Sequence, residues 1–298
     1  MKNKNILAIF FAILASLLYA INIPFSKMLL KQISPTMMAS YLYLGAGLGI
    51  SIFYLITRKK ENKEEKITKK DMPYVIGMII LDILAPILLM VGLMSSSSSS
   101  ASLLNNFEIV CTSLIALIIF KEFISKKMWI AILLITLSSF VLSIEDIENF
   151  KFSFGSILVL LATLCWGFEN NCTKNLANKN VFKIVIIKGI FSGLGSLIIA
   201  LILKEGFGDI IYILLTLLLG FVAYGLSIYF YIKSQGIIGA AKTSAYYSLS
   251  PFLGTFLSFL ILKERLNLPY FIGLIIMIIG TVIVVLDTLY PKNKNNVE

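Results

Sequence analysis

The sequence predicts an all-α integral membrane protein of ten transmembrane helices, arranged as two inverted five-helix repeats. Three observations carry this expectation: an excess of apolar residues, the placement of lysine and arginine, and short stretches that recur at nearly constant offsets. Hydrophobic residues fill 58% of the 298 positions and charged residues 14%, against about 45–50% and about 25% in soluble domains. Windows of about 20 apolar residues, enough to cross a hydrocarbon core of about 30 Å as helix, recur along the chain. In lipid the backbone must satisfy its own hydrogen bonds, and continuous rather than alternating apolar runs select helices over a barrel.

Charged and polar punctuation divides the chain into helices near 6–28, 36–57, 72–93, 99–120, 128–144, 155–175, 182–203, 210–233, 243–262 and 268–288. The first begins like a signal peptide, with Lys2, Lys4, an apolar stretch and Ser16-Leu17-Leu18-Tyr19-Ala20. Its apolar run continues to Leu30 and its pattern recurs internally, so it is read as a retained helix. The six serines at 95–100 read as a short outer turn and a tightly packed helix start. Pro24, Pro86 and Pro251 each remove a backbone hydrogen bond and predict kinks. Gly45, Gly49, Gly189, Gly193, Gly273 and Gly280 predict close helix contacts.

The net charge of +10 does not form a basic face for nucleic acid, because the lysines sit in short loops. With the N-terminus inside, 19 of the 26 Lys and Arg residues fall on inside segments: Lys2, Lys4, the run from Arg58 to Lys70, Lys121, Lys126, Lys127, Lys174, Lys179, Lys183, Lys233, Lys242, Lys292 and Lys294. Six fall outside, at Lys27, Lys31, Lys151, Lys204, Lys263 and Arg265, and Lys188 lies within a helix. This bias predicts a multi-pass protein of the cell inner (plasma) membrane with both termini cytoplasmic.

Ala15-Ser16-Leu17-Leu18-Tyr19-Ala20-Ile21-Asn22, leading to Lys27, reads like Ala162-Thr163-Leu164-Cys165-Trp166-Gly167-Phe168-Glu169, leading to Lys174, at an offset of 147. Ser102-Leu103-Leu104, leading to Phe120-Lys121-Glu122, reads like Ser244-Ala245-Tyr246, leading to Leu262-Lys263-Glu264, at an offset of 142. Residues 1–144 and 155–288 are therefore expected to be two five-helix units. Five is odd, so the second unit enters from the opposite face. Inverted repeats provide two near-equivalent states open to either side, the arrangement of many secondary transporters.

The aromatic position in the first helix of each half, the small-residue stretch Ser98-Ser99-Ser100-Ala101-Ser102-Leu103-Leu104 and the two Lys-Glu pairs also resemble the drug/metabolite transporter superfamily, EamA type. The resemblance spans essentially the whole chain. It implies ten helices around a central cavity and, commonly, export of amino acids or related metabolites. Asn105-Asn106-Phe107-Glu108 departs from the less polar stretch of many relatives, whereas the second half keeps Ser250-Pro251.

Asp82, Glu108 and Glu169 lie well inside expected helices. A charged side chain at a helix centre costs about 2.5–3.5 kcal/mol on insertion scales, so three unpaired acids do not face lipid. Trp166, Glu169 and Asn170 share one helix face, and Tyr19 and Asn22 repeat that spacing without the charge. Asn105 and Glu108 share another face, and Asp82 aligns with Pro86. Together with Tyr224, Tyr246 and Tyr247, these are the expected substrate-binding residues. Carboxylates beside aromatic rings suit an amine through ion pairing and cation–π attraction. Burial in an apolar cavity favours the neutral carboxylic acid, which makes Glu169 and Glu108 the candidate proton carriers. The competing reading pairs the acids with Lys188 and gives them a packing role; Tyr231 is a further tyrosine of this group.

Cys111, Cys165 and Cys172 lie in apolar runs without CxxC spacing, and there is no histidine. Neither a metal nor a cofactor is expected, and no nucleophile motif suggests an enzyme. Gly236-Ile237-Ile238-Gly239-Ala240-Ala241-Lys242-Thr243 lacks the glycine before lysine that a phosphate loop requires. The expected function is a secondary active transporter exporting amino acids or related amine-bearing metabolites by alternating access. Drug or organic-cation export is the second reading, a membrane-embedded enzyme using paired carboxylates is the reading of a different class, and proton coupling, exchange and facilitated diffusion are open. The expected partners are a small-molecule substrate and the lipid bilayer, with homodimerisation open.

Overall fold

The computed structural model describes residues 2–57, 67–121, 124–146, 151–176, 179–238, 243 and 246–289. Most of the basic loop after the second helix, Glu122 of the first Lys-Glu pair, Lys242 and Ser244-Ala245 lie outside these residues.

Seven segments are long and apolar enough to cross a membrane: Lys4–Leu29, Pro35–Thr57, Lys69–Ser95, Ser98–Ile119, Val181–Ile202, Ile210–Ile238 and Leu268–Asp287. Three other expected spans are helical as Lys126–Leu142, Phe154–Lys174 and Ser250–Leu262. The first and third are short, and the second carries Glu169, Asn170 and Asn171 in its final turns. A small antiparallel hairpin pairs Ile144–Asp146 with Lys151–Phe152, an exception to the all-helical expectation.

The helices are numbered α1 (Lys2–Ala20), α2 (Asn22–Leu29), α3 (Pro35–Thr57), α4 (Met72–Ser95), α5 (Ser98–Leu104), α6 (Phe107–Phe120), α7 (Lys126–Leu142), α8 (Phe154–Lys174), α9 (Val181–Ile202), α10 (Ile210–Leu219), α11 (Ser227–Ile238), α12 (Ser250–Leu262) and α13 (Leu268–Leu289). Extensive pairings join α3 to α9, α4 to α8, α7 to α13, α1 to α11 and α5 to α12. Glycines permit the closest of these. A Cβ added at Gly92 of α4 would stand 2.7 Å from the Gly155 carbonyl oxygen of α8, and one at Gly47 of α3 would stand 2.7 Å from the Ile190 nitrogen of α9. Serines bond across the same interfaces, Ser40 Oγ to the Gly193 carbonyl at 2.9 Å and Ser227 Oγ to the Ala15 carbonyl at 2.8 Å. Small residues and side-chain hydrogen bonds are what hold helices together when lipid removes most of the hydrophobic drive.

Four expected helices are interrupted, and that at 243–262 turns at Ser248–Leu249, just before Pro251, which has no N–H for the Tyr247 carbonyl. Pro24 has no N–H for the Ala20 carbonyl, and the first helix breaks at Ile21. The helix expected at 99–120 breaks at Asn105–Asn106, residues of weak helix preference. There the ladder tightens: Asn106 N donates to the Leu103 carbonyl at 3.0 Å and Glu108 N to that of Asn105 at 3.1 Å. Between α10 and α11 the chain widens into a π-helical segment, Gly220–Leu226, which carries Tyr224. Pro86, by contrast, sits inside an unbroken α4.

Candidate functional site

The interruptions surround a cavity of about 620 Å³. Its inner wall is formed by Tyr19, Tyr43, Trp166, Lys188 and Tyr224, in the middles of their helical segments. Its other end reaches Ser125 at the start of α7, Lys174 at the end of α8 and Asp287 near the end of α13. Ser125 Oγ donates to Asp287 there at 2.5 Å.

Away from that mouth, the bundle is closed by charges on helix ends. Lys27 of α2 donates to the Leu93 carbonyl and, at 2.8 Å, to that of Ser96, where α4 finishes. Glu264 accepts from Ser98 N at 2.7 Å and Ser99 N at 2.9 Å, where α5 begins. A cation on terminal carbonyls and an anion on initial amides both complement helix dipoles. Ser98 and Ser258 add a hydroxyl pair at 2.8 Å, and Thr255 donates to the Ser99 carbonyl at 3.0 Å.

Buried charge lies at the inner wall. Lys188 Nζ stands 2.9 Å from Glu169 Oε1 and 3.1 Å from Asp82 Oδ2. Asp82 is fully buried and also accepts from Tyr43 Oη at 2.8 Å. Glu169 further accepts from Thr173 Oγ1, one turn on. Glu108, in the first turn of α6, accepts from Asn170 Nδ2 at 2.5 Å, and that amide also reaches Thr112 Oγ1 at 3.3 Å.

Five tyrosine rings continue the wall as a chain. Tyr43 and Tyr224 have centroids 5.1 Å apart, Tyr224 and Tyr19 5.7 Å, Tyr19 and Tyr247 5.9 Å, and Tyr247 and Tyr231 5.0 Å. These are ordinary distances for favourable tilted and edge contacts.

Of the expected site residues, Tyr19, Asn105, Glu108, Trp166, Glu169, Asn170, Tyr224 and Tyr247 line the cavity. Asn22, Asp82 and Tyr246 are not part of its lining. Asn22 stands behind Tyr224, donating to its hydroxyl at 3.1 Å while accepting from Ser26 at 3.0 Å. Asp82 is screened by Tyr43 and Lys188. Helical spacing aligns residues on a face but does not say how deep that face lies. Tyr43 and Thr112 were not singled out from the sequence; nothing in their local pattern separates them from other polar residues of apolar helices.

A helical membrane bundle enclosing a tyrosine-walled cavity that holds buried carboxylates has the build of a membrane transporter. The EamA-like transporter family matches residues 6–144 and 153–286, and the chain belongs to that family. An uncharacterized transporter of Methanothermobacter thermautotrophicus is 27% identical over 294 residues, covering 91% of this chain and 84% of its own. A solved crystal structure, described only as that of a protein, is similar in fold with a TM-score of 0.71 at 13% identity, covering 97% of this chain and 99% of its own.

Proposed function

We propose that this transporter is a secondary exporter of amino acids or related amine-bearing metabolites, working by alternating access through ten helices in two inverted repeats. The observation that carries the reading is the cavity itself, with Glu108 and Glu169 set against tyrosine rings. Carboxylates and ring faces are what an ammonium group binds.

Two features support the repeat. Exchanging first-half helices for their second-half counterparts turns the α1–α11 packing into the α8–α4 packing, and leaves α3–α9 and α7–α13 as they are. Lys121 and Lys263, 142 positions apart, both end their helices in the left-handed region, at φ 54° and 50°. Lysine adopts that conformation rarely. The proposed orientation puts the cavity mouth, beside Lys174 and the lysines of 121–127, at the cytoplasmic face by the positive-inside rule.

Proton coupling is assigned to Glu169 or Glu108. Purified protein in liposomes should carry a labelled amine across the membrane without altering it chemically, and an imposed pH gradient should drive accumulation. Glu169→Gln should abolish the gradient-driven component while sparing exchange; unchanged coupling would remove Glu169 as the carrier. Chemical conversion without translocation would defeat the transport reading.

A further inference from the structure

We infer that the cavity selects amines that lack a carboxylate, and that the broken helix α5–α6 supplies the ammonium site through Asn105 and Glu108. This rests on the transport reading above; of its two substrate classes it keeps the amine-bearing metabolites without a carboxylate and sets aside the free amino acids.

Charge bookkeeping at the inner wall comes first. Lys188 lies between Asp82 and Glu169, at 3.1 and 2.9 Å, so one ammonium already serves two carboxylates. Glu108 adds a third carboxylate, and its partner is the neutral Asn170 amide. Among the described residues lining the cavity, the other cation is Lys174, exposed at the last residue of α8. It lies five positions beyond Glu169 on α8, about 7.5 Å along the axis. An entering ammonium therefore meets an excess of negative charge beside Glu108. An entering carboxylate meets the same excess with the wrong sign, and the one nearby cation is already shared.

The second observation is independent of charge. Asn105 and Asn106 line the cavity at 6% and 2% exposure, and Asn105 Oδ1 and Asn106 Nδ2 have no hydrogen-bond partner. A buried polar atom without a partner is costly and calls for an explanation; a group bound in the cavity supplies one once the amide turns towards it. Asn105 closes α5 and Glu108 opens α6, so their side-chain acceptors flank the break three positions apart. Two acceptors, one anionic, suit an ammonium donor. Interrupted helices whose freed polar groups face a cavity are a recurring way to build a site at membrane depth. The tyrosine rings leave room for an apolar or aromatic body beside it.

The test compares phenethylamine with phenylalanine, which differ by the carboxylate alone, using calorimetric binding to the full-length protein in nanodiscs. Phenethylamine is expected to bind at least tenfold more tightly, and Glu108→Gln and Asn105→Ala should each weaken it about tenfold or more. The wild-type comparison stands even if a variant fails to fold, and the melting temperature identifies such a variant. Equal or tighter binding of phenylalanine overturns the exclusion of carboxylates and leaves the transport reading intact. Undiminished phenethylamine binding in both folded variants overturns the ammonium site. If neither compound binds, the inference fails; liposome flux of any other amine or amino acid then preserves the transport reading, and no flux from such a panel removes both.

Discussion

Lys188 Nζ lies 2.9 Å from Glu169 Oε1, joining the middle of α9 to the cavity-lining face of α8 inside an apolar bundle. The same nitrogen holds Asp82 of α4, so a single cation ties three helices together. Removing one partner of a buried ion pair leaves an uncompensated charge and costs about 3–5 kcal/mol.

Lys188→Met should therefore destabilise the protein by about 3–5 kcal/mol, read as a large fall in melting temperature in detergent. The loss should be full where both carboxylates are ionised and shrink as pH falls, because protonation removes the orphaned charge. Adding Asp82→Asn should restore part of the stability. A melting temperature that Lys188→Met leaves unchanged would show that the acids do not depend on this cation.

Tyr43→Phe deletes the hydroxyl that donates to Asp82 at 2.8 Å while keeping the ring against Tyr224. Hydrogen bonds to charged groups contribute about 1.5–3 kcal/mol. The expected outcome is a moderate fall in melting temperature, smaller than for Lys188→Met. A loss as large as that of the lysine variant would mean that the ring, not the hydroxyl, was disturbed.

Glu264→Gln removes the anion that accepts from Ser98 N and Ser99 N at the closed end. Helix-cap contacts of this kind are worth about 0.5–2 kcal/mol, which alters a two-state balance by roughly twofold to thirtyfold. Thiol labelling of a cysteine placed at Ser258, which faces Ser98, should become faster in this variant. Labelling at the wild-type rate would show that the contact does not hold that end shut.

Gly155→Ala should disrupt the α4–α8 crossing, because a Cβ there would run into the Gly92 carbonyl oxygen and stand 2.8 Å from the Ser96 nitrogen. Overpacking of a tight interface costs about 1–3 kcal/mol. Gly236→Ala is the matched control, since among the described residues no atom outside its own helical turn lies within 4 Å of its added Cβ. Melting temperatures of the two variants should differ by several degrees, and equal values would refute the close crossing.

Much of the site was legible because helical geometry is local. Trp166, Glu169 and Asn170 share a face by spacing alone, and that face lines the cavity. Asp82 was legible as a costly residue but not as a screened one, because its distance from the cavity depends on Tyr43 of α3 and Lys188 of α9. The break at Asn105–Asn106 lay in the polar stretch that the sequence marks as unusual. The interruption itself depends on how Leu103, Asn105 and Asn106 share their backbone bonds.

By itself, the sequence determined that this chain lives in lipid, that its helices carry acids that need a partner, and that it belongs with a family of transporters. Hydropathy and charge cost are properties of each segment against its solvent, so they can be read one helix at a time. Only the tertiary structure decided which acids Lys188 neutralises, which tyrosines form a continuous wall and which end of the bundle is shut. Those are distances between segments up to about 200 residues apart in the chain, such as Asn22 and Tyr224, and no local pattern encodes them. The physical reason is that buried charges and hydrogen bonds are selective over a few ångströms, a scale set by the packing of the helices.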